Sequence, residues 1–284
     1  MTEPSLSIST VSGALGAEVR GVDLDHLTDD GFAAIKQALL DHQVIFLPDQ
    51  SPTPDAHAAF ARRFGEVEIH PFLPKLDDAH PEIVVLEAEA GYIADIFHTD
   101  VTWSSSPPIA SILHMVKCPS RGGDTIWTNQ YLVYESLSPP VRDLLDGLTA
   151  VHTAKTFGHP EQLAEHPAVR VHPETGRRSL YVNRQFTSHF PQLRRSESDA
   201  LLEMLCAFAE QPHFQCRYRW TAGTIAIWDN RCTQHFVVND FDEARRIERV
   251  TVLGDLPEGD TPRWEHWQPT GMSGAAAASE LGLI

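Results

Sequence analysis

The chain has 284 residues, 42% of them apolar, and a formal net charge of −17. That length suits one large domain or two small ones, with enough apolar residues for a sizeable core. The charge excludes the basic footprint that nucleic acid or an anionic membrane surface needs, so any bound anion must be held by local cations.

Leu6 to Thr10 and Ala17 to Val22 read as short strands around Gly13 and Gly16. A helix is predicted over Asp29–His42, because Phe32, Ile35, Leu39 and Leu40 fall at helical spacing behind a capping Thr28. Val44 to Leu47 is a buried strand closed by Pro48, and a second helix runs from Pro54 to Phe64, ended by Gly65. Beyond Glu82 the pattern is mostly β: Ile83–Leu86, Phe97–Thr102, Ile109–Val116 and Thr125–Thr128, followed by helices over Gln130–Ser136 and Pro140–Leu148. Thr156–His166, rich in Pro, Gly and His, reads as a long loop suited to covering a site. Strands resume at Val169–Val171 and Ser179–Val182, a helix covers Glu197–Ala209, and Gln215–Trp220, Thr224–Trp228 and Arg246–Leu253 are strand-like.

Short strands with a few outer helices predict a mainly β fold with α insertions, a double-sheet jelly roll. The expected organisation is a single domain over 1–259 and a C-terminal tail over 260–284, where Trp264 and Trp267 are the candidates for docking and Ala275–Ala278 shows little packing pattern. Cys118, Cys206, Cys216 and Cys232 form no Cys-x-x-Cys pair, so neither a zinc nor a thioredoxin-type motif is expected, and their scatter suits the cytoplasm. Cys206 falls on an apolar helical pattern and is expected in the core. Met1-Thr2-Glu3-Pro4 carries no signal-peptide pattern, and no apolar run approaches the roughly 18 residues of a membrane span.

The chemistry is carried by His98-Thr99-Asp100 and, far downstream, by His235. With 15 His and 39 acidic residues, chance alone gives roughly two His-x-Asp/Glu triplets, and the chain has four. His80-Pro81-Glu82, His159-Pro160-Glu161 and His172-Pro173-Glu174 are centred on proline and read as surface turns. His98-Thr99-Asp100 reads instead as part of a strand, which would put His98 and Asp100 on one side as a chelating pair. His235 lies 137 residues beyond His98 and can join it only if distant strands close on each other. Two histidines and a carboxylate on one face of a metal suit non-haem Fe(II), with the other face open for oxygen and a co-substrate. Arg245, Arg246 and Arg249 follow, on a strand where Arg249, Thr251 and Leu253 share a face. Taken alone they read as a solvated face, but an inward guanidinium beside a metal makes a bidentate carboxylate clamp.

Five ordered blocks resemble one family. Phe97-His98-Thr99-Asp100-Val101-Thr102-Trp103, Gly122-Gly123-Asp124-Thr125-Ile126-Trp127, Leu180-Tyr181-Val182-Asn183, Trp228-Asp229-Asn230-Arg231 with Thr233-Gln234-His235, and Arg245 with Arg249-Val250-Thr251-Val252-Leu253-Gly254-Asp255 look like the taurine dioxygenase/chlorophenoxyacetate dioxygenase family. The resemblance spans about residue 10 to 255. It implies a double-stranded β-helix and an Fe(II)- and 2-oxoglutarate-dependent dioxygenase, in which O2 and 2-oxoglutarate give succinate, carbon dioxide and a hydroxylated substrate. His98, Asp100 and His235 match the metal ligands. Thr125 and Arg245 match the groups that hold the distal carboxylate of 2-oxoglutarate, with Arg246 the alternative to Arg245.

The resemblance also points to the substrate. His70 and Arg249 match the groups that hold a sulfonate in the taurine enzymes. Where those enzymes place a tyrosine three residues after the histidine, this chain has Leu73, and where they place an asparagine four residues before the first ligand it has Ala94. A buried ammonium would be unpaired there, which is costly. An apolar tail is expected instead, walled by Val101, Phe157 and Phe186. The expected substrate is therefore a small organic anion other than taurine, an alkyl sulfonate or sulfate ester first and a carboxylate such as an aryloxyalkanoate second, turned over by a homo-oligomer. A non-catalytic metal-binding jelly roll is the reading from another class; it has no need of the clamp.

Overall fold

The structure, a computed structural model, describes residues 6–70, 73–88 and 94–269, with 274, 276 and 278 besides. In chain order its first half consists of β1 (Ser7–Thr10), β2 (Ala17–Arg20), α1 (Asp29–His42), β3 (Val44–Leu47), α2 (Pro54–Arg62), β4 (Val84–Ala88), β5 (Ala110–Lys117), β6 (Thr125–Asn129), α3 (Gln130–Ser136) and α4 (Pro139–Leu145). The second half consists of β7 (Thr149–Ala154), β8 (His159–Pro167), β9 (Val169–Val171), β10 (Arg178–Leu180), β11 (Thr187–His189), α5 (Arg195–Ala209), β12 (Gln215–Tyr218), β13 (Thr224–Asp229), β14 (Thr233–Val237) and β15 (Arg245–Val252).

Seven strands form one sheet in the order β1-β2-β3-β13-β5-β15-β4, and three form another in the order β12-β6-β14. Their inner faces share one core. Phe46 of β3, Leu113 and Met115 of β5, and Ala226 and Trp228 of β13 pack with Trp127 of β6 and Tyr218 of β12. Phe46 stacks flat on Tyr218, with ring centroids 3.7 Å apart. The odd-numbered residues of β3 and β13, Ile45, Leu47, Ile225 and Ile227, face the other way onto Ile35 and Leu39 of α1 and Phe60 of α2. Burial on both faces explains why β3 and β13 are unbroken apolar runs in the sequence. A third core lies under α3, α4 and α5, against Val169 and Leu180. The result is the expected jelly roll with helices outside.

Local signals set several ends. The Thr28 hydroxyl accepts the Gly31 N–H at 3.1 Å, so α1 starts on its predicted cap, and Thr53 caps α2 by accepting the Ala56 N–H at 3.2 Å ahead of Pro54. Before β6, Gly122 and Gly123 both have positive φ (72° and 69°), and a Cβ on Gly122 would lie 2.5 Å from the Asp240 carbonyl oxygen. That close approach lets the Asp240 side chain accept the Gly123 N–H at 2.8 Å.

Three expectations are corrected. Phe97–Thr102 is not a strand: only His98 pairs, in an isolated bridge with His235, and the chain turns sharply at Val101, whose φ is +52°. Thr156–His166 is not a loop; after a 3-10 turn at Lys155–Phe157 it pairs with β7 as β8. Its polar, Pro-containing sequence belongs to an arm exposed along one side, with 160–162 bulged out between the pairs Thr153–Leu163 and Ala154–His159. His172 does sit at the turn between β9 and β10, but it is buried, only 1% exposed, because its ring bonds inward to Asp229 at 3.0 Å. Cys206 is buried as expected. No helix among the described residues is long and apolar enough to cross a membrane. Of the tail, residues 260–269 run along the body: Trp267 N–H donates to Pro191 O at 2.8 Å, and Arg263 N–H to Gly147 O at 3.0 Å. Ala275 and Ala277 lie outside the described residues.

Candidate active site

His98 and His235 exchange both backbone hydrogen bonds, N–H to O at 3.0 and 2.8 Å, although 137 residues separate them. This bridge brings their imidazoles side by side, with ring centroids 4.1 Å apart. The turn after His98 then places the Asp100 carboxylate against both: Oδ1 is 3.8 Å from His98 Nε2 and 3.9 Å from His235 Nε2. A bridge followed by a turn thus does what a regular strand was expected to do.

The three groups are held in the states a divalent cation requires. His98 Nδ1 donates to the Ile96 carbonyl at 2.7 Å, which puts the proton on Nδ1 and leaves the Nε2 lone pair facing Asp100. Burial lowers the His98 pKa, and burial beside His98 pushes His235 down to about 3, so both rings are neutral. Burial alone would raise the Asp100 carboxyl, but the Arg249 guanidinium, with help from the Ser111 hydroxyl, outweighs it and holds it well below the usual carboxylate range. Asp100 Oδ2 accepts from Ser111 Oγ at 2.8 Å, and Arg249 Nη1 donates to Oδ1 at 3.3 Å. Asn230 steadies this arrangement from beneath: its Nδ2 donates to Ser111 at 3.3 Å, and its Oδ1 accepts from Trp228 Nε1 at 3.0 Å. The three ligand atoms lie within 4.8 Å of one another, a donor set that fits non-haem Fe(II). Ser111 and Asn230 were not singled out from sequence. Asn230 sits inside the Trp228–Arg231 block, while Ser111 carries no signal at all.

The ligands form part of the wall of a cavity of about 590 Å³. Apart from Arg246, the metal-ligand, clamp and substrate candidates all line this cavity. Thr125, Arg245, His70 and Arg249 all line it, and Leu73, Ala94, Val101, Phe157 and Phe186 supply apolar wall. On β15, alternation turns Arg245, Ile247 and Arg249 inward, and sends Arg246 out to Glu87 and Glu248. Burial lowers the Arg245 pKa to about 10, and this guanidinium has no carboxylate partner among the described residues. The Nε atoms of Arg245 and Arg249 are both buried without a hydrogen bond. Both are donors with unused hydrogen-bonding capacity. His70 Nδ1 accepts the Leu73 N–H at 3.2 Å, so in its neutral form the ring proton is on Nε2. Phe186 meets His98 edge-on at 6.0 Å, and Phe157, 45% exposed, packs on Phe186 at 5.7 Å.

A second buried group, His172, Asp229 and Cys232, also has metal-ligand chemistry. Its carboxylate is already consumed: Arg231 Nε and Nη2 donate to Asp229 at 2.9 and 2.7 Å, and His172 at 3.0 Å. Burial raises the Cys232 thiol well above its usual range, and Asp229 serves a buried ion pair with Arg231.

Over residues 7–251 the sequence matches the family described as taurine catabolism dioxygenase TauD, TfdA family. It is 36% identical over 280 residues to an alpha-ketoglutarate-dependent sulfate ester dioxygenase of Pseudomonas putida, covering 89% of this chain and 91% of that protein. It is 34% identical over 277 residues to an alkylsulfatase of Acinetobacter baylyi, covering 89% and 87% respectively. A solved taurine dioxygenase from Burkholderia xenovorans superposes with a TM-score of 0.83 at 41% identity, covering 96% of this chain and 98% of that one. The jelly roll, the His-Asp-His centre and these matches agree: the chain belongs to the TauD/TfdA family of Fe(II)- and 2-oxoglutarate-dependent dioxygenases.

Proposed function

We propose that this dioxygenase cleaves alkyl sulfate esters by hydroxylating the carbon that bears the sulfate oxygen, with alkyl sulfonates as related substrates. The observation that carries the reading is the make-up of the cavity wall. Arg249 lies 3.3 Å from the ligand Asp100, His70 lines the same cavity, and most of the other lining residues are apolar, with Leu73 and Ala94 offering no partner for a second charge. Both relatives described above are named for sulfate ester or alkylsulfatase activity, which supports the same head group.

His98, Asp100 and His235 would hold Fe(II), and Thr125 and Arg245 the distal carboxylate of 2-oxoglutarate. Together with O2 these supply the oxidising chemistry: one oxygen atom ends in succinate as carbon dioxide leaves, and the other is inserted into a C–H bond of the substrate. Arg249 and His70 Nε2–H bind the sulfate oxygens and fix which carbon faces the centre. Val101, Phe157 and Phe186 hold the alkyl tail and exclude water. The product, R–CH(OH)–OSO3−, is a hemiacetal ester. It loses its hydroxyl proton and expels sulfate, giving an aldehyde and hydrogen sulfate.

The test is a panel of alkyl sulfates, alkyl sulfonates, taurine and aryloxyalkanoates, read by succinate and sulfate release, with His98→Ala as the inactive control. Alkyl sulfates should be turned over best. Equal turnover of taurine, or preference for aryloxyalkanoates, would overturn the reading. The four cysteines are free, which suits a reducing cytoplasm, where we place the reaction. We expect a homo-oligomer, which light scattering checks.

A further inference from the structure

Val101 is a β-branched residue held at φ +52°, a conformation such residues rarely adopt and one that must be imposed by its surroundings. The adjoining Thr102 is 1% exposed, and its hydroxyl lies at a junction of three separate segments. His152 of β7 approaches it with Nδ1 at 3.0 Å, and Asn183 donates to it from Nδ2 at 3.1 Å. The Thr102 and Ser104 carbonyls meanwhile accept from one nitrogen, His166 Nε2 of β8, at 2.8 and 3.0 Å. Each of these anchors leads to a wall of the cavity. The turn carries Val101. The β7–β8 arm carries Phe157 beyond the last pair of β7. Asn183 Oδ1 accepts the Phe186 N–H at 2.8 Å and so fixes where that ring begins. Thr187 Oγ1 closes the cluster, accepting the Asn183 N–H at 2.8 Å and lying 3.3 Å from His152 Nδ1.

We propose that Thr102 is a positioning residue: its hydroxyl ties the metal-proximal turn, the β7–β8 arm and the Phe186 segment together, and so sets the spacing of the walls that aim the substrate's C–H bond. Hydrophobic residues would fill this space without fixing it. A cluster of directed hydrogen bonds in a buried site has one low-energy geometry, and losing one member leaves the others unsatisfied. The inference rests on the proposal that this cavity holds the substrate's tail. It adds that a group touching neither metal nor substrate governs coupling, that is, how many substrate molecules are hydroxylated per succinate formed.

Thr102→Val keeps the shape and removes the hydroxyl, and Thr102→Ser restores the hydroxyl alone. The holoenzyme is assayed for succinate and sulfate together on the best alkyl sulfate of the panel, and Co(II) affinity is measured by chelator competition. Wild type should give close to one sulfate per succinate. Thr102→Val should form at least about three-fold more succinate per sulfate, Co(II) affinity should move less than about two-fold, and Thr102→Ser should recover most of the coupling. If Thr102→Val does not fold, His152→Leu removes the arm's contact with the same hydroxyl and should uncouple in the same way. Unchanged coupling in the folded variant overturns the inference, as does a serine variant no better than the valine one. Absence of sulfate release by wild type from every ester would instead overturn the proposed function.

Discussion

Replacing Arg245 with methionine should make the ligand-free protein more stable while abolishing its response to 2-oxoglutarate. The guanidinium is 8% exposed, has no carboxylate partner among the described residues, and is pushed by burial from 12.5 to about 10. At about 1.4 kcal/mol per unit, that displacement corresponds to on the order of 3 kcal/mol of buried-charge cost. The sign is fixed by the direction. A cation whose pKa falls on folding destabilises the folded state at every pH below the lowered value, so the whole cost is present at pH 7. Methionine fills similar space without charge, and the melting temperature should rise by roughly 6 °C at the lower end of the usual conversion. In the wild type the distal carboxylate of 2-oxoglutarate would offset the same cost. At a hundred times its Kd the ligand should stabilise by about 2.7 kcal/mol. Differential scanning fluorimetry of both proteins, with Co(II) in place of iron and with or without 2-oxoglutarate, reads both effects. A methionine variant that melts lower than wild type and is still stabilised by 2-oxoglutarate to the same degree would refute the reasoning, because Arg245 would then be a structural cation.

Ser111→Ala removes the hydroxyl that donates to Asp100 Oδ2, and metal affinity should fall about 10- to 100-fold, measured by Co(II) competition with a chelator. Phe157→Ala opens the edge of the cavity next to Phe186; KM for long alkyl sulfates should rise about five-fold with little change for short ones, in proportion to an aromatic contact of about 1 kcal/mol. His57 is 1% exposed, and burial lowers its pKa from 6.5 to about 4. The unfolded chain therefore takes up a proton that the folded one refuses, and stability should fall as pH drops from about 6.5 to about 4, by on the order of 3 kcal/mol. Urea titrations of His57→Leu should show a shallower acid loss than wild type over that window.

Elements with two buried faces were the easiest to read. β3 and β13 are runs of Val, Ile, Phe, Leu and Trp, and little besides a buried strand suits them. β14 escaped notice because Thr233, Gln234 and His235 are polar yet buried: their side chains serve a carbonyl, a neighbouring segment and the metal site instead of filling core. β8 was hidden for the opposite reason, since a largely exposed strand needs no apolar alternation. His172 shows the limit of turn chemistry, which fixes the backbone at His172–Gly176 but says nothing of a ring that bonds inward to Asp229. The metal and co-substrate candidates were more legible than the strands around them, because each was recognised within a block of neighbours. Ser111, alone among apolar residues of β5, had no such block.

The backbone bridge between His98 and His235 has a consequence for how the protein is made. Neither partner has a nearby second histidine to form the centre early, so a growing chain has no binding site for iron here until residue 235 has left the ribosome and the sheets have closed. A protein truncated ahead of His235 would therefore lack the residue that closes the donor set and the backbone bridge that holds His98 in place.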